Sequence, residues 1–350
     1  MMHIKNAFSR STLVRLLFVG AASLLFAGLA ISQSAAQETT LYAFQGGADG
    51  AYPEGGLISD TKGALYGTVT NGVFQLNPPA TGQTAWTKTV LASVVSPQGS
   101  LVFDQRGSLY GVTSGGNGAI FQLTPQADGQ TPWTGTALWN FGGGVDGADP
   151  QGPLIFDTWG ALYGVTAQGG AANAGTVFKL TPPESGQTAW RKTVLWSFGG
   201  GEDGAGPQGG LIFDHQGALY GATTQGGAAG FGKVYQLTPP GAGLTKWRKT
   251  VLYSFRGGPA VGPGDGAYPN GSLIFDTKGS LYGTTARGGL FTSGLGNGMV
   301  FRLVPSAKGP GALATEWTET VLHRFAYGEF YGHHGYANSG LIFDTAGALY

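Results

Sequence analysis

Past residue 36, apolar residues come in short bursts of four to nine positions, and no stretch carries the 3.6-residue stripe of an amphipathic helix. The stretch from Gly209 shows the form: "GLIFD", apolar on both faces, a turn at "HQG", then "ALYGAT", "KVYQLTP" and "WRKTVLYSF", separated by glycine-rich loops. Bursts of this length bounded by Gly, Pro or Asp read as strands, and four of them in short succession make a four-stranded antiparallel sheet. The core of the unit returns as "GGLISDTKGALYGTV", "GSLVFDQRGSLYGVT", "GPLIFDTWGALYGVT", "GSLIFDTKGSLYGTT" and a final "SGLIFDTAGALY", at spacings of 44 to 68 residues. The spacing predicts an all-β fold, a β-propeller of four-stranded antiparallel blades. Five blades would be complete and a sixth partial, with inner strands starting near residues 55, 99, 152, 209, 271 and 339.

Each part of the unit has a mechanical reading. D-x-x-G recurs at Asp60, Asp104, Asp157, Asp214, Asp276 and Asp344. An aspartate can accept backbone N–H groups inside its own turn, and the glycine takes the positive φ that a hairpin needs. The turn therefore explains all six carboxylates without catalysis or metal. In the last burst, strict alternation puts Trp190, Lys192, Val194, Trp196 and Phe198 on one face and Arg191, Thr193, Leu195 and Ser197 on the other. The recurring Trp86, Trp133, Trp190, Trp247 and Trp317 read as packing at the outer edge rather than as sugar platforms.

The pattern "GLIFDxxGALYGTTxxGG…GxVFxLTP" resembles the choice-of-anchor tandem repeat of the GloVer type, found in exported bacterial proteins, over nearly all of residues 39–350. A looser likeness is to NHL and SMP-30-like propellers. The resemblance implies secretion or surface display and a propeller-like repeat, and it brings no catalytic residues. The C-terminal sorting segment that gives the group its name has no counterpart here. On the propeller expectation the opening "TTLYAF" matches the end of an outermost strand, and the last unit stops after its second strand. That reads as a truncated product or fragment.

Composition narrows the setting. Lys5, Arg10 and Arg15 precede an uncharged stretch at residues 16–31, and Ser34, Ala35 and Ala36 offer a cleavage site, so residues 1–36 read as a signal peptide and residues 37–350 as the repeat domain. The chain has 19 Lys plus Arg and 19 Asp plus Glu; losing those three basic residues leaves 16 against 19. A slightly acidic chain argues against nucleic acid. There is no cysteine, so packing and backbone pairing must hold an exported fold together. No segment after the leader is long and apolar enough to span a membrane.

Function is legible mainly as a location. On the propeller expectation the D-x-x-G turns never change length, whereas the loops of the opposite rim grow from "TNG" to "ARGGLFTSGLGNG" and from "VSPQG" to "RGGPAVGPGDGAYPNG" and "AYGEFYGHHGYANSG". Variable loops on a repeated scaffold are where binding is usually built. A polar residue always enters the inner strand there: Glu54, Gln98, Gln151, Gln208, Asn270 and Asn338. Six such groups converging on an axis could hold a hydroxyl-rich ligand, or could bond neighbouring loops and keep the ring closed. Asp-Gly pairs at Asp49, Asp146, Asp203 and Asp265 lie in the same loops; exposed aspartates there could take Ca²⁺, but the dense D-x-D run is missing and a structural turn is the expectation. The odd segment after His323 adds Arg324, Glu329, Phe330, Tyr331, His333, His334 and Tyr336 without a metal-binding spacing. No cofactor is expected. The reading is an exported binding or display scaffold with a polysaccharide or surface protein as partner. The alternatives are a hydrolase or lyase using Glu54 or Glu329 as acid or base, and a purely structural surface protein.

Overall fold

The computed structural model describes residues 4–5, 38–127, 129–257, 264–288, 298–306, 317–325 and 340–350, without the side chains of Ile4, Lys5, Glu38 and Glu54. The leader expected over residues 1–36, Glu329 and Asn338 therefore fall outside it, apart from a two-residue pairing of Ile4–Lys5 with Glu38–Thr39. Five antiparallel sheets follow one another along the chain, over residues 54–93, 97–140, 148–197, 212–254 and 267–324. In the third, Ala148–Phe156, Leu162–Gln168, Thr176–Thr181 and Arg191–Ser197 lie side by side in sequence order. The first position of the fifth sheet is split into Ala267–Pro269 and Ile274–Phe275, both paired with Leu281–Arg287. No α-helix occurs among the described residues, and none is long and apolar enough to cross a membrane.

Consecutive sheets pack face to face, each pair enclosing its own apolar layer. Leu101 and Phe121 of the second sheet meet Val73 and Leu91 of the first, and Leu273 and Phe301 of the fifth meet Val234 and Leu252 of the fourth. Each fully buried Leu or Phe contributes about 1.5–3 kcal/mol of transfer free energy. The tryptophans at 86, 133, 190, 247 and 317 are half-buried against these layers. The result is a propeller-like stack.

The glycine of "LYG" shows why the motif repeats. A Cβ on Gly164 would lie 2.7 Å from the Phe178 ring and 2.8 Å from Leu154, and Gly111, Gly221 and Gly283 stand in the same relation to their neighbours. The second strand is thus kept bare so that the third-strand aromatic can reach across it.

The closest approach is at the start of each inner strand. Between Gln151 and Ile155 the first strand carries two residues more than its partner, and the same bulge follows Glu54 and Gln98. The extra residues push a glycine onto the next sheet. A Cβ on Gly55 would overlap the backbone of Gly99; one on Gly152 would sit 2.7 Å from Gly210 N and 2.8 Å from Gln208 O; one on Gly209 would sit 2.5 Å from Gly271 O. Ser100 and Ser272 hydroxyls accept from Gly56 N at 2.7 Å and Gly210 N at 3.0 Å, stitching neighbouring inner strands.

The strict alternation expected of the outer strand does not hold. Trp196 pairs with Val177 but Val194 pairs with Phe178, so Leu195 is extra, and an irregularity at this point recurs in all five sheets. The slip turns Val194 outward, and in the first sheet it leaves Val90 exposed and buries Leu91.

Gly152→Ala should lower stability by about 3 kcal/mol or more, because backbone rather than a pliable side chain blocks the methyl group. Gly63→Ala, also at positive φ but with open space around it, should cost about 1 kcal/mol. Thermal melts of the two variants compare them, and equal losses would refute the axial contact.

Candidate functional site

The loops that enter the inner strands share a short motif: Tyr52-Pro53-Glu54-Gly55, Ser96-Pro97-Gln98-Gly99, Asp149-Pro150-Gln151-Gly152, Gly206-Pro207-Gln208-Gly209 and Tyr268-Pro269-Asn270-Gly271. The residue before each proline is left-handed, with φ of 50, 49, 57, 61 and 58°. This costs a non-glycine residue about 1–2 kcal/mol. What holds it there is the preceding sheet. Asp149, Gly206 and Tyr268 donate their N–H to Asn117, Ala174 and Phe231 carbonyls at 2.8–2.9 Å. Pro150, Pro207 and Pro269 then seat against Gly118, Gly175 and Gly232, where a Cβ would collide with the ring. From the second sheet on, the rim is a relay of loops, each clipped to the sheet before it.

The glycine contacts bring the backbones of Glu54, Gln98, Gln151, Gln208 and Asn270 into one row across the inner strands. Amides of this row bond within the protein. Gln98 Nε2 donates to Ser114 Oγ at 3.1 Å and Gln151 Nε2 to Asp149 Oδ1 at 2.8 Å. Gln208 is exposed. On the opposite face all six D-x-x-G aspartates make the same contacts. Asp157 Oδ1 accepts from Trp159 N at 3.0 Å and Ala161 N at 2.9 Å, and Oδ2 accepts from Tyr163 Oη at 3.1 Å. Asp60, Asp104, Asp214, Asp276 and Asp344 repeat it.

The Asp-Gly loops are clasps between sheets. Asp146 Oδ2 accepts from Gly142 N at 2.7 Å and from the Trp139 indole at 3.2 Å, while Oδ1 pairs with Lys192 of the next sheet at 2.7 Å. The lysine side chain is only 2% exposed and lies over the Trp139, Phe141 and Phe178 rings. Asp49 grips Lys88 at 2.8 Å with Tyr42 and Phe44, and Asp203 grips Lys249 with Trp196 and Phe198. Hydrogen bonds from Lys88 and from the Gln45 N–H hold the Asp49 carboxyl down at about 2. Burial pushes Asp146 and Asp203 up, but the lysine and backbone donors outweigh it and leave both below the usual range.

Two seams lack the clasp. Between the first and second sheets the loop is short, without the aspartate, and Gly135 occupies the lysine position. Between the fourth and fifth the aspartate is present and the lysine is not: Glu319 stands where Lys192 and Lys249 stand. Asp265 still accepts from Arg256 N at 3.0 Å and Tyr253 Oη at 2.8 Å. Glu319 Oε1 is buried without a hydrogen-bond partner. Burial, reinforced by the Asp265 charge, pushes the Glu319 carboxyl up to about 7. Aligning "TKTV", "TGTA", "RKTV", "RKTV" and "TETV" within the chain carries the signal for this exchange, which reading each unit singly passes over. Among the described residues no group of three or more His, Asp or Glu is placed to hold a metal ion. Of the odd segment, only His323, Arg324 and Phe325 are described; Arg324 Nη1 donates to Gly288 O at 2.8 Å.

Residues 70–294 and 116–350 match the profile of a family described as the Gloeobacter/Verrucomicrobia repeat. No curated protein matches the chain. Among solved structures it is similar to a gluconolactonase from Xanthomonas campestris (16% identity, 85% of this chain and 81% of that one, TM-score 0.47). It is also similar to the PQQ domain of pyranose dehydrogenase from Coprinopsis cinerea (13%, 85% and 89%, 0.46) and to virginiamycin B lyase from Staphylococcus aureus (16%, 77% and 69%, 0.44). Similarity at this level bears on neither substrate nor mechanism.

The two kinds of seam should respond to pH in opposite directions. The depressed clasp aspartates stabilise above the ordinary carboxylate pKa of about 4, and that contribution is lost as pH falls toward 2. Glu319 is raised, so its favourable state is complete below about pH 4.5 and is lost as pH rises to 7. After discounting for its partial exposure, the penalty should lower the melting temperature between pH 5 and pH 8 by about 2–4 °C. Glu319→Gln should flatten that slope, and Glu319→Lys should raise the melting temperature at pH 8 by restoring the clasp. A slope unchanged in Glu319→Gln would exclude the carboxyl as its source. Lys192→Met, which leaves Asp146 without its cation, should cost about 2–4 kcal/mol.

Proposed function

Because the chain belongs to the Gloeobacter/Verrucomicrobia repeat family, we propose that it acts as an exported binding or display scaffold. We read it as a β-propeller of five full blades and the start of a sixth, with its ligand site on the rim of inner-strand loops. The observation that carries this reading is where the variation lies. The D-x-x-G face repeats one set of hydrogen bonds six times, while the opposite rim changes length, sequence and clasp from sheet to sheet. Rigid glycine-packed strands beneath variable loops suit recognition, since the scaffold pre-organises what the loops present. A row of Glu, Gln and Asn at the inner strands suits a hydroxyl-rich ligand, each side chain offering acceptors and the amides donors as well. A polysaccharide is the partner we favour, and a surface protein the next.

One observation favours a second reading, catalysis. Glu319 is a half-buried carboxyl group pushed up to about 7, in the range where a carboxyl serves as a general acid or base. In that case a hydrolase or lyase would use Glu319, with Glu54 and Glu329 as the other candidates.

Probing the full chain on a glycan array, with and without Ca²⁺, tests the first reading. Gln151→Ala combined with Gln208→Ala should weaken binding by about ten- to a hundredfold, the effect of losing two hydrogen bonds of about 1 kcal/mol each. Binding untouched by the double variant would remove the rim from consideration. Turnover of a bound glycan that disappears in Glu319→Gln or Glu54→Gln would favour the enzyme.

A further inference from the structure

The face opposite the rim holds a departure from the repeat that neither fold nor clasp explains. At the third position of the D-x-x-G turn the six units carry Lys62, Arg106, Trp159, Gln216, Lys278 and Ala346. Five are polar or small, as a solvent-facing turn tip prefers. Trp159 is 83% exposed, so it contributes nothing to the core. The turn does not need it either: Asp157 and Gly160, at φ 82°, close the hairpin as their counterparts do elsewhere.

Trp159 stands at the edge of a groove of about 830 Å³ between the second and third sheets. The Trp190 and Phe156 rings supply its apolar wall, both half-buried in the layer between those sheets. Gln105 and Arg106, from the facing turn, and Gln122 supply its polar one. Arg106 and Gln105 are exposed. Gln122 donates Nε2 to Tyr110 Oη at 2.7 Å, which fixes the amide with its oxygen as the remaining acceptor. The two turn carboxylates, Asp104 and Asp157, are occupied by backbone and tyrosine donors. The groove thus combines one flat exposed indole with amide and guanidinium donors, and it has no free carboxylate to demand a cation.

We propose that this groove is a second binding site, for a neutral oligosaccharide chain, with one sugar ring stacked on Trp159 and its hydroxyls bonded by Gln105, Arg106 and Gln122. A pyranose ring presents an apolar C–H face and a polar rim, and an exposed indole beside amides is complementary to both. The volume lies within the range of sites for molecules of a few rings. The inference is independent of the rim reading, since it uses other residues on the other face.

The test uses the full chain and an array of neutral gluco-, manno-, xylo- and galacto-oligosaccharides, with calorimetry on the hits. Trp159→Lys is the main variant, because lysine occupies the same turn position in the first and fifth sheets and should leave the melting temperature unchanged. It should weaken binding by about tenfold or more, equivalent to about 1.4 kcal/mol, whereas Trp159→Phe should retain most of the affinity. Gln151→Ala with Gln208→Ala should leave this binding intact. A folded wild-type chain that binds none of these sugars, or whose binding survives Trp159→Lys, overturns the proposal. Sugar binding lost only in the rim double variant overturns it as well and leaves the rim reading standing. Loss of a protein partner alone in Trp159→Lys would mark the groove as a protein-docking surface and equally overturn it.

Discussion

Backbone meets backbone at the start of the first four inner strands, and the rest of the architecture depends on that contact. Gly55, Gly99, Gly152 and Gly209 each lie against the main chain of the next sheet, with no room for a methyl group. A wider residue at any one of them would splay two sheets and open the apolar layer between them. The two-residue bulges, the left-handed residue before each proline and the serine hydroxyls across the strands all position this approach. The repeat is therefore conserved within the chain where it must be narrow, and free where it is wide.

Much of this could be read from the sequence, because strand length and turn chemistry are local properties. The four bursts of each unit became four strands, and "LIFD-x-x-G-ALYG" names the residues that turn, pack and make space. The outer strand departs from its sequence pattern for a reason that is also local. "RKTVLWS" alternates well enough to hide an extra residue, and only pairing with the third strand reveals that Val194 and Leu195 have exchanged faces. The left-handed Tyr52, Ser96, Asp149 and Tyr268 were invisible for a different reason. For Ser96, Asp149 and Tyr268 the conformation is held by hydrogen bonds to the preceding sheet, against their own preference and that of the proline that follows.

The candidate sites divide in the same way. Gln98, Gln151 and Gln208 could be picked out because their position repeats. Glu319 could be found only by asking what is different at a position where lysine repeats, and its significance required knowing that this lysine reaches an aspartate of the neighbouring sheet. In a repeat protein the shared residues describe the fold, and the exceptions are where chemistry has to be sought. An ionisable group here is informative when the contact that occupies its counterparts is missing.

The clasps are unevenly distributed along the stack. The second, third and fourth sheets are joined through Asp146–Lys192 and Asp203–Lys249 into one braced block. The joint before that block has no such ion pair and relies on packing and on hydrogen bonds such as that from Gly56 N to Ser100 Oγ, and the joint after it sets one carboxyl group against another. Those two joints lack the ion pair that braces the other two. A partner that bridged either joint would supply a brace that the charges of the chain do not, and one confined to the middle block would meet sheets already tied to one another.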